Sequence, residues 1–155
     1  MLRELTFIVP GTPTAKQRPR LCSRNGFTRA YTPAKTKRYE NMVALAAQAA
    51  MNGTPMLTGP LFLHARCFWP CPVSKHRKRE PCPVEWRAKG ADADNVAKAI
   101  LDGCNGVIYK DDSCVVQLFV EKYQQAQGAD AEVIVCVKQL TGVQNEYITS
   151  NSKEN

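Results

Sequence analysis

Four apolar segments that alternate with a period of two, spaced around two segments of helical period, restrict the fold of this chain more than any other feature. Residues 2–9 and 60–69 each precede a helical segment, and residues 114–123 and 131–138 follow the second one. Alternation of this kind predicts strands with one buried face. We therefore expect an α/β fold of the α+β type, with a small mixed β-sheet of about four strands packed by helices.

Both helical segments carry signals at their ends. Thr32-Pro33 is typical of an N-cap with proline at the first helical position, and Asn52-Gly53 supplies a left-handed stop. Asp94 is predicted to cap the second helix. That helix should end between Leu101 and Cys104, where Gly103 begins a turn.

The length of 155 residues suits one domain with a buried core, and 44% hydrophobic with 23% charged residues is a globular composition. We expect a single domain over residues 1–141, with a basic, proline-rich loop at 70–90, and a polar, flexible tail at 142–155. No apolar run approaches the roughly 20 residues that span a bilayer, and the N-terminus lacks the segments of a secretory signal. A soluble, cytoplasmic protein without a membrane partner is therefore expected.

The net charge of +7 is divided unevenly along the chain. Residues 1–91 hold 16 Lys and Arg against 4 Asp and Glu, a net +12, whereas residues 92–155 hold 5 against 10, a net −5. Such asymmetry indicates a phosphate-rich partner, although charge alone fits a solubilising surface equally well.

The acidic half gathers its carboxylates around the second helix, at Asp92, Asp94 and the pair Asp111-Asp112. Carboxylates set close together repel unless a cation lies between them, and hard oxygen ligands favour Mg²⁺. In an extended segment Asp92 and Asp94 point to the same side, and a helix start places the ion near the positive end of the dipole. Metal-assisted hydrolysis of phosphodiesters is the chemistry this pattern favours, with Asp92, Asp94 and Asp112 as ligands.

Lys98 lies one turn after Asp94 and could pair with it or contact the scissile phosphate. Each part of the pattern also has a structural interpretation. Asp94 alone suits an N-cap, Asp111-Asp112 a turn, and Lys98 with Asp102 a surface helix pair. Their coincidence around one helix, beside a basic half that is nearly free of acids, favours the catalytic interpretation.

Basic side chains concentrate in two stretches that we expect to be loops, residues 12–31 and 70–90. Six of these side chains are expected to contact phosphates without reading the base sequence, namely Lys16, Arg18, Arg20, Lys75, Arg77 and Lys78. Phe27, Tyr31 or Trp86 could insert into a nucleic-acid partner, although core packing is expected for at least two of these rings.

The seven cysteines leave a zinc site open as a weaker alternative. Cys67, Cys71 and Cys82 have His64 and His76 nearby, but the usual CxxC pairs are absent. Several cysteines lie in apolar runs, where a reduced cysteine packs as a small hydrophobe.

The acidic pattern as a whole is similar to a known family. The run from Asp92 to Lys98, the later Leu101-Asp102, and Asn105 to Asp112 closely resemble the signature of the RusA family of Holliday junction resolvases. Lys16-Gln17-Arg18-Pro19-Arg20 resembles that family's N-terminal basic motif, and the likeness extends over about residues 3–138. Gly103-Cys104 departs from the usual residues.

The resemblance implies a small α/β, homodimeric endonuclease of a kind frequent in phages and prophages, with Mg²⁺ as cofactor or Mn²⁺ in its place. It implies that the enzyme resolves four-way junctions by paired nicks in DNA recombination and repair. The implied catalytic residues are Asp92, Asp94, Lys98 and Asp112, with Asp102 and Asp111 in support.

Three alternatives stay open at this point. The same chemistry could act on flap or fork DNA. A non-catalytic, basic nucleic-acid-binding protein could retain the fold, although it would gain nothing from acids beside its phosphate track. The cysteines could build a zinc-stabilised interaction module.

Overall fold

The computed structural model of the protein describes residues 2–142, so the predicted tail lies almost entirely outside the described residues. The strands are β1 (Glu4–Pro10), β2 (Arg20–Arg24), β3 (Phe27–Tyr31), β4 (Leu61–Trp69), β5 (Glu85–Trp86), β6 (Val115–Gln124) and β7 (Glu132–Gln139). The helices are α1 (Ala34–Met51) and α2 (Ala93–Cys104), with short 3-10 turns at Val73–Lys75 and Asp112–Cys114. Neither α-helix is long and apolar enough to cross a membrane.

Five strands form a mixed sheet in the order β1-β7-β4-β6-β5, in which β4 and β6 are parallel and the other neighbours antiparallel. The predicted fold class is confirmed, with four long strands and the two-residue β5 at the edge. A parallel pair needs a crossover connection, and α2 supplies it between β4 and β6. Ala91, just before α2, is bonded to Lys122 near the end of β6, and Lys98 in the middle of α2 is bonded to Asp112 just before β6 begins.

Both helices pack on one face of the sheet. β4 alternates as predicted, with Leu61, Leu63, Ala65, Cys67 and Trp69 buried. These side chains join a single core with residues from α1 and α2. The opposite face of the sheet has no helix packed on it within residues 2–142.

The starts of both helices differ from their predicted positions. The N–H of Lys37 donates to the carbonyl of Pro33, and that of Val96 to the carbonyl of Asp92. Pro33 is therefore the N-cap of α1, one residue after the predicted Thr32. Asp92 is the N-cap of α2, two residues before the predicted Asp94. Asn52 ends α1 in the left-handed conformation, as predicted.

Gly103 is inside α2 rather than in the turn that follows it. A Cβ atom at this position would lie 2.6 Å from Cβ of Val43 on α1. Glycine is needed here because the two helices approach closely, and not because the helix has to stop.

The predicted loop at 12–31 contains a two-stranded hairpin, β2–β3, that forms its own sheet. Its turn residues Asn25 and Gly26 have φ values of 53° and 77°. Asn-Gly with positive φ at both positions favours the two-residue turn whose twist matches paired strands. The Asn25-Gly26 pair is therefore the sequence signal for this hairpin.

Candidate active site

Helix α2 begins at the two acids Asp92 and Asp94. Asp92 is the N-cap but makes no capping hydrogen bond, and Asp94 lies in the first turn. Both side chains are exposed, and neither has an ion-pair partner within residues 2–142. Lys122 on β6 donates a 2.5 Å hydrogen bond to the carbonyl of Ala91. The chain immediately before the acids is thereby fixed to the sheet.

Lys98 joins α2 to the turn that precedes β6. Its Nζ donates a 2.7 Å hydrogen bond to Oδ2 of Asp112 and lies 3.0 Å from Oδ1 of Asp102. Hydrogen bonds to Asp112 and then to Asp102 raise the pKa of Lys98 above its ordinary value. With 49% of its side-chain surface exposed, Lys98 is accessible from solvent.

Asp102 lies between two ammonium groups. Lys16 Nζ donates a hydrogen bond to its Oδ2, while Lys98 pairs with its Oδ1. Burial acts to raise the pKa of Asp102, but the hydrogen bonds from Lys16 and Lys98 outweigh it and hold the pKa below its ordinary value. Asp102 is therefore an anion that fixes both lysines.

Glu40 on α1 extends this arrangement and is missing from the site predicted by sequence. Its Oε1 lies 3.4 Å from Lys16 Nζ and is buried without a hydrogen bond, so the charge of Lys16 compensates it. The sequence does single out Glu40, because it is the one acid between residues 5 and 79, in the basic half of the chain. Alternating charges thus run in series from Glu40 through Lys16, Asp102 and Lys98 to Asp112.

Asp111 and Asp112 have different surroundings. Asp111 is exposed and caps the short 3-10 turn, where its Oδ2 accepts a 3.3 Å hydrogen bond from the N–H of Ser113. Hydrogen bonds from Ser113 lower the pKa of Asp111. Asp112 faces Lys98 and is only 21% exposed. Tyr109 fixes the connection before it, since its ring is buried and its hydroxyl donates to the carbonyl of Leu101 over 3.0 Å.

The donor atoms suit a hard divalent cation, although they are not gathered around one point. Within residues 2–142, no group of three or more His, Cys, Asp or Glu side chains is arranged to hold a metal ion. Asp92 and Asp94 nevertheless present carboxylates without an ion-pair partner in that range. Mg²⁺ takes such oxygens, commonly one or two together with substrate phosphate. The donor chemistry of Asp92 and Asp94 fits Mg²⁺, whereas Asp112 is bonded to Lys98 in this structure.

The predicted DNA-binding residues differ in exposure. Arg18, Arg20, Lys75, Arg77 and Lys78 are all exposed. Lys75 shares its charge with Glu85, 3.6 Å away. Lys16 is set apart, because its ammonium is bonded to acids and its side chain is only 26% exposed.

The zinc alternative is not assembled within the part of the chain that the structure describes. Cys67 points into the core, and burial raises its pKa to about 12. His64 lies on the opposite face of β4, because it is three residues away in an alternating strand, and it contacts Glu121 at 3.1 Å. His76 contacts the carbonyl of Cys71 at 3.3 Å.

Comparison with known proteins identifies the family of the chain. The family profile described as "Endodeoxyribonuclease RusA" matches residues 10–136. "Uncharacterized protein YqaN" of Bacillus subtilis (strain 168) is 38% identical over 128 residues, which covers 77% of this chain and 87% of that protein. The matched range includes both acids at the start of α2, Lys98 and Asp112. The chain belongs to the RusA family of endodeoxyribonucleases.

Proposed function

We propose that the protein is a Mg²⁺-dependent, structure-specific endonuclease that resolves four-way DNA junctions by paired nicks in recombination and repair. It would act in the cytoplasm of a bacterial or phage-infected host cell. Membership of the RusA family supports the cutting of DNA, and the net charge of +7 supports a phosphate-rich substrate. The observation that carries the proposal is the half-exposed Lys98 side chain on α2, whose Nζ lies 2.7 Å from Asp112. The same helix starts with two acids that have no ion-pair partner within residues 2–142.

Asp92, Asp94 and Asp112 would hold the ion. Bound Mg²⁺ would polarise a phosphate oxygen and lower the pKa of a bound water. Lys98 would place its positive charge beside a non-bridging phosphate oxygen and offset the negative charge that develops there. Asp102 would keep Lys98 directed toward the phosphate. The first turn of α2 would favour the same phosphate through its unpaired N–H groups.

A homodimer would supply the two equal active sites that paired nicks require. The face of the sheet opposite the helices supports such an assembly. Phe62 and Phe119 pack there with ring centroids 5.6 Å apart, and Phe119 and Ile8 are more than half exposed. Apolar side chains that remain exposed on a sheet mark a surface for another protein. Strands β1 and β4 both contribute to this face.

The proposal is tested on a plasmid that extrudes a cruciform. With Mg²⁺, we expect linear product, because a dimer cuts both strands during one encounter. Nicked circles alone would contradict paired incision, and the absence of any divalent-dependent cutting would contradict the nuclease chemistry. Cleavage rates on matched synthetic junction, flap, fork and duplex substrates measure which DNA structure the enzyme prefers. Faster cutting of flaps or forks than of junctions would overturn the junction assignment.

Lys16 provides a separate prediction. The sequence favours a phosphate contact for it, whereas its bonds to Asp102 and Glu40 favour a positioning role. We expect Lys16→Met to lower kcat about tenfold, because Asp102 and then Lys98 lose their alignment. The salt dependence of binding to uncut DNA should stay unchanged, since no phosphate contact is lost.

Arg18→Ala is the matched control for Lys16, because Arg18 is exposed two residues along the same segment. Its loss should reduce the slope of log K against log salt by about 1, with little change in kcat on bound DNA. If Lys16→Met reduced the slope by the same amount, Lys16 would contact phosphate rather than position Asp102.

A further inference from the structure

The β2–β3 hairpin has no evident role in the core or the active site. All ten of its strand residues are exposed. A two-stranded hairpin by itself is only marginally stable in water. The sequence nevertheless keeps large apolar side chains there, with Phe27 77% and Tyr31 48% exposed. Such side chains suggest a ligand that covers them.

The pairing register divides the hairpin into two different faces. Arg20 lies opposite Tyr31, Cys22 opposite Arg29, and Arg24 opposite Phe27, so these six side chains share one face. The other face carries Leu21, Ser23, Thr28 and Ala30. A 3.0 Å hydrogen bond between the hydroxyls of Ser23 and Thr28 confirms that these two side chains point the same way. One face is therefore rich in arginine and aromatic rings, and the other carries two hydroxyl and two aliphatic side chains.

Charge identifies the kind of ligand. The arginine-aromatic face carries three arginines, and residues 5–39 contain no acid. Such a surface repels a basic partner and attracts phosphates. Arginine on phosphates combined with aromatic rings on bases is how proteins bind unpaired nucleotides. Phe27 lies next to the turn, at the tip of the hairpin, where a base could stack on it.

The hairpin is also tied to the catalytic helix. The N–H of Lys16 donates to the carbonyl of Asn95 over 2.9 Å, and the N–H of Gln17 donates to Oγ1 of Thr36 over 3.1 Å. Arg20 is the fourth residue after Lys16, so the base of the hairpin lies within about 14 Å of that anchor. At 3.4 Å per base pair, this distance corresponds to about four pairs of duplex DNA. Phe27 at the tip is paired with Arg24, four strand residues beyond Arg20. A base stacked on Phe27 would therefore lie within about 28 Å of the anchor, or about eight base pairs.

We propose that the arginine-aromatic face of the hairpin binds unpaired nucleotides at the branch point of the substrate. The arginines hold the backbone and the ring of Phe27 stacks on an open base. This inference rests on the proposed function, because it explains how the enzyme would select branched over linear DNA. Stacking is tolerant of sequence, so the hairpin reads an open base rather than its identity.

The test compares Phe27→Ala with Leu21→Ala, binding DNA in EDTA so that no cutting occurs. Leu21 is the matched control, because it is 74% exposed on the opposite face of the same hairpin. We expect Phe27→Ala to weaken binding to a four-way junction and to a single-stranded oligonucleotide about tenfold. Duplex affinity should not change. Leu21→Ala should leave all three affinities unchanged, and Phe27→Trp should bind like the wild type.

Equal losses in Phe27→Ala and Leu21→Ala would overturn the stacking role, as would a loss in Phe27→Ala that is the same on duplex and junction. These outcomes are distinguishable from failure of the proposed function. A wild-type protein that did not cut junctions would refute the function. The single-stranded oligonucleotide would still report whether Phe27 holds a base.

Discussion

Replacing Asp112 with asparagine is expected to reduce junction cleavage by about 10²-fold or more, while DNA binding stays intact or tightens. The carboxylate of Asp112 faces Lys98 and is the connection between α2 and the turn before β6. Asparagine keeps the shape of the side chain but removes the negative charge that an ion needs. Binding improves because a negative charge no longer repels the phosphates. Single-turnover cleavage and binding in EDTA measure the two effects separately.

Asp111→Asn is the matched control, because it makes the same charge change one residue earlier. Asparagine can still accept the hydrogen bond from the N–H of Ser113 that caps the turn. We expect Asp111→Asn to keep cleavage within a few-fold of the wild type. A loss as large as that of Asp112→Asn would mean that the turn itself, and not the carboxylate at 112, supports activity. Asp94→Asn should behave like Asp112→Asn.

Replacing Lys98 with methionine is the second large effect, with an expected loss in kcat of about 10²–10³-fold. The raised pKa of Lys98 keeps the ammonium charged throughout the neutral range, so its charge is always present for the reaction. Methionine preserves the length of the side chain and removes the charge. It also frees Asp112 and Asp102 from the hydrogen bonds that now hold them. Cleavage rates at saturating DNA and varied Mg²⁺ separate the loss of the positive charge from the release of the two carboxylates.

If Lys98 acts on the phosphate, kcat falls and the Mg²⁺ concentration for half-maximal activity stays the same or decreases, because Asp112 becomes free for the ion. If Lys98 only orients Asp112, the loss should appear as a higher Mg²⁺ requirement that excess Mg²⁺ restores. Lys110→Met is the control. Lys110 is exposed in the connection between α2 and β6, and its replacement removes the same positive charge. It should have little effect on kcat.

The local elements were predictable from sequence because their signals are local. Alternation along β4 predicts its buried face correctly, and Asn52 in α1 takes the left-handed conformation that its type favours. The misinterpretation of Gly103 has a non-local cause. Glycine is required there by Val43, which lies sixty residues earlier in the chain and becomes its neighbour only when α1 and α2 pack. No periodicity in α2 carries that information.

The candidate site was only partly predictable for the same reason. The pair of Lys98 with Asp102 follows from helical spacing and is present at 3.0 Å. The bonds from Lys16 to Asp102 and Glu40 join residues from three separate parts of the chain. A lysine within a basic motif suggests phosphate contact, and only the folded arrangement shows the acids that hold its ammonium. The metal-ligand role of Asp92, Asp94 and Asp112 remains a prediction.

An anomalous difference map from a crystal soaked in Mn²⁺ tests the central claim most directly. We expect one strong peak per protomer, coordinated by carboxylate oxygens of Asp92, Asp94 and Asp112, with Asp112 moved off Lys98. A peak at other residues, or an Asp112 that stays bonded to Lys98 while Mn²⁺ binds elsewhere, would contradict it.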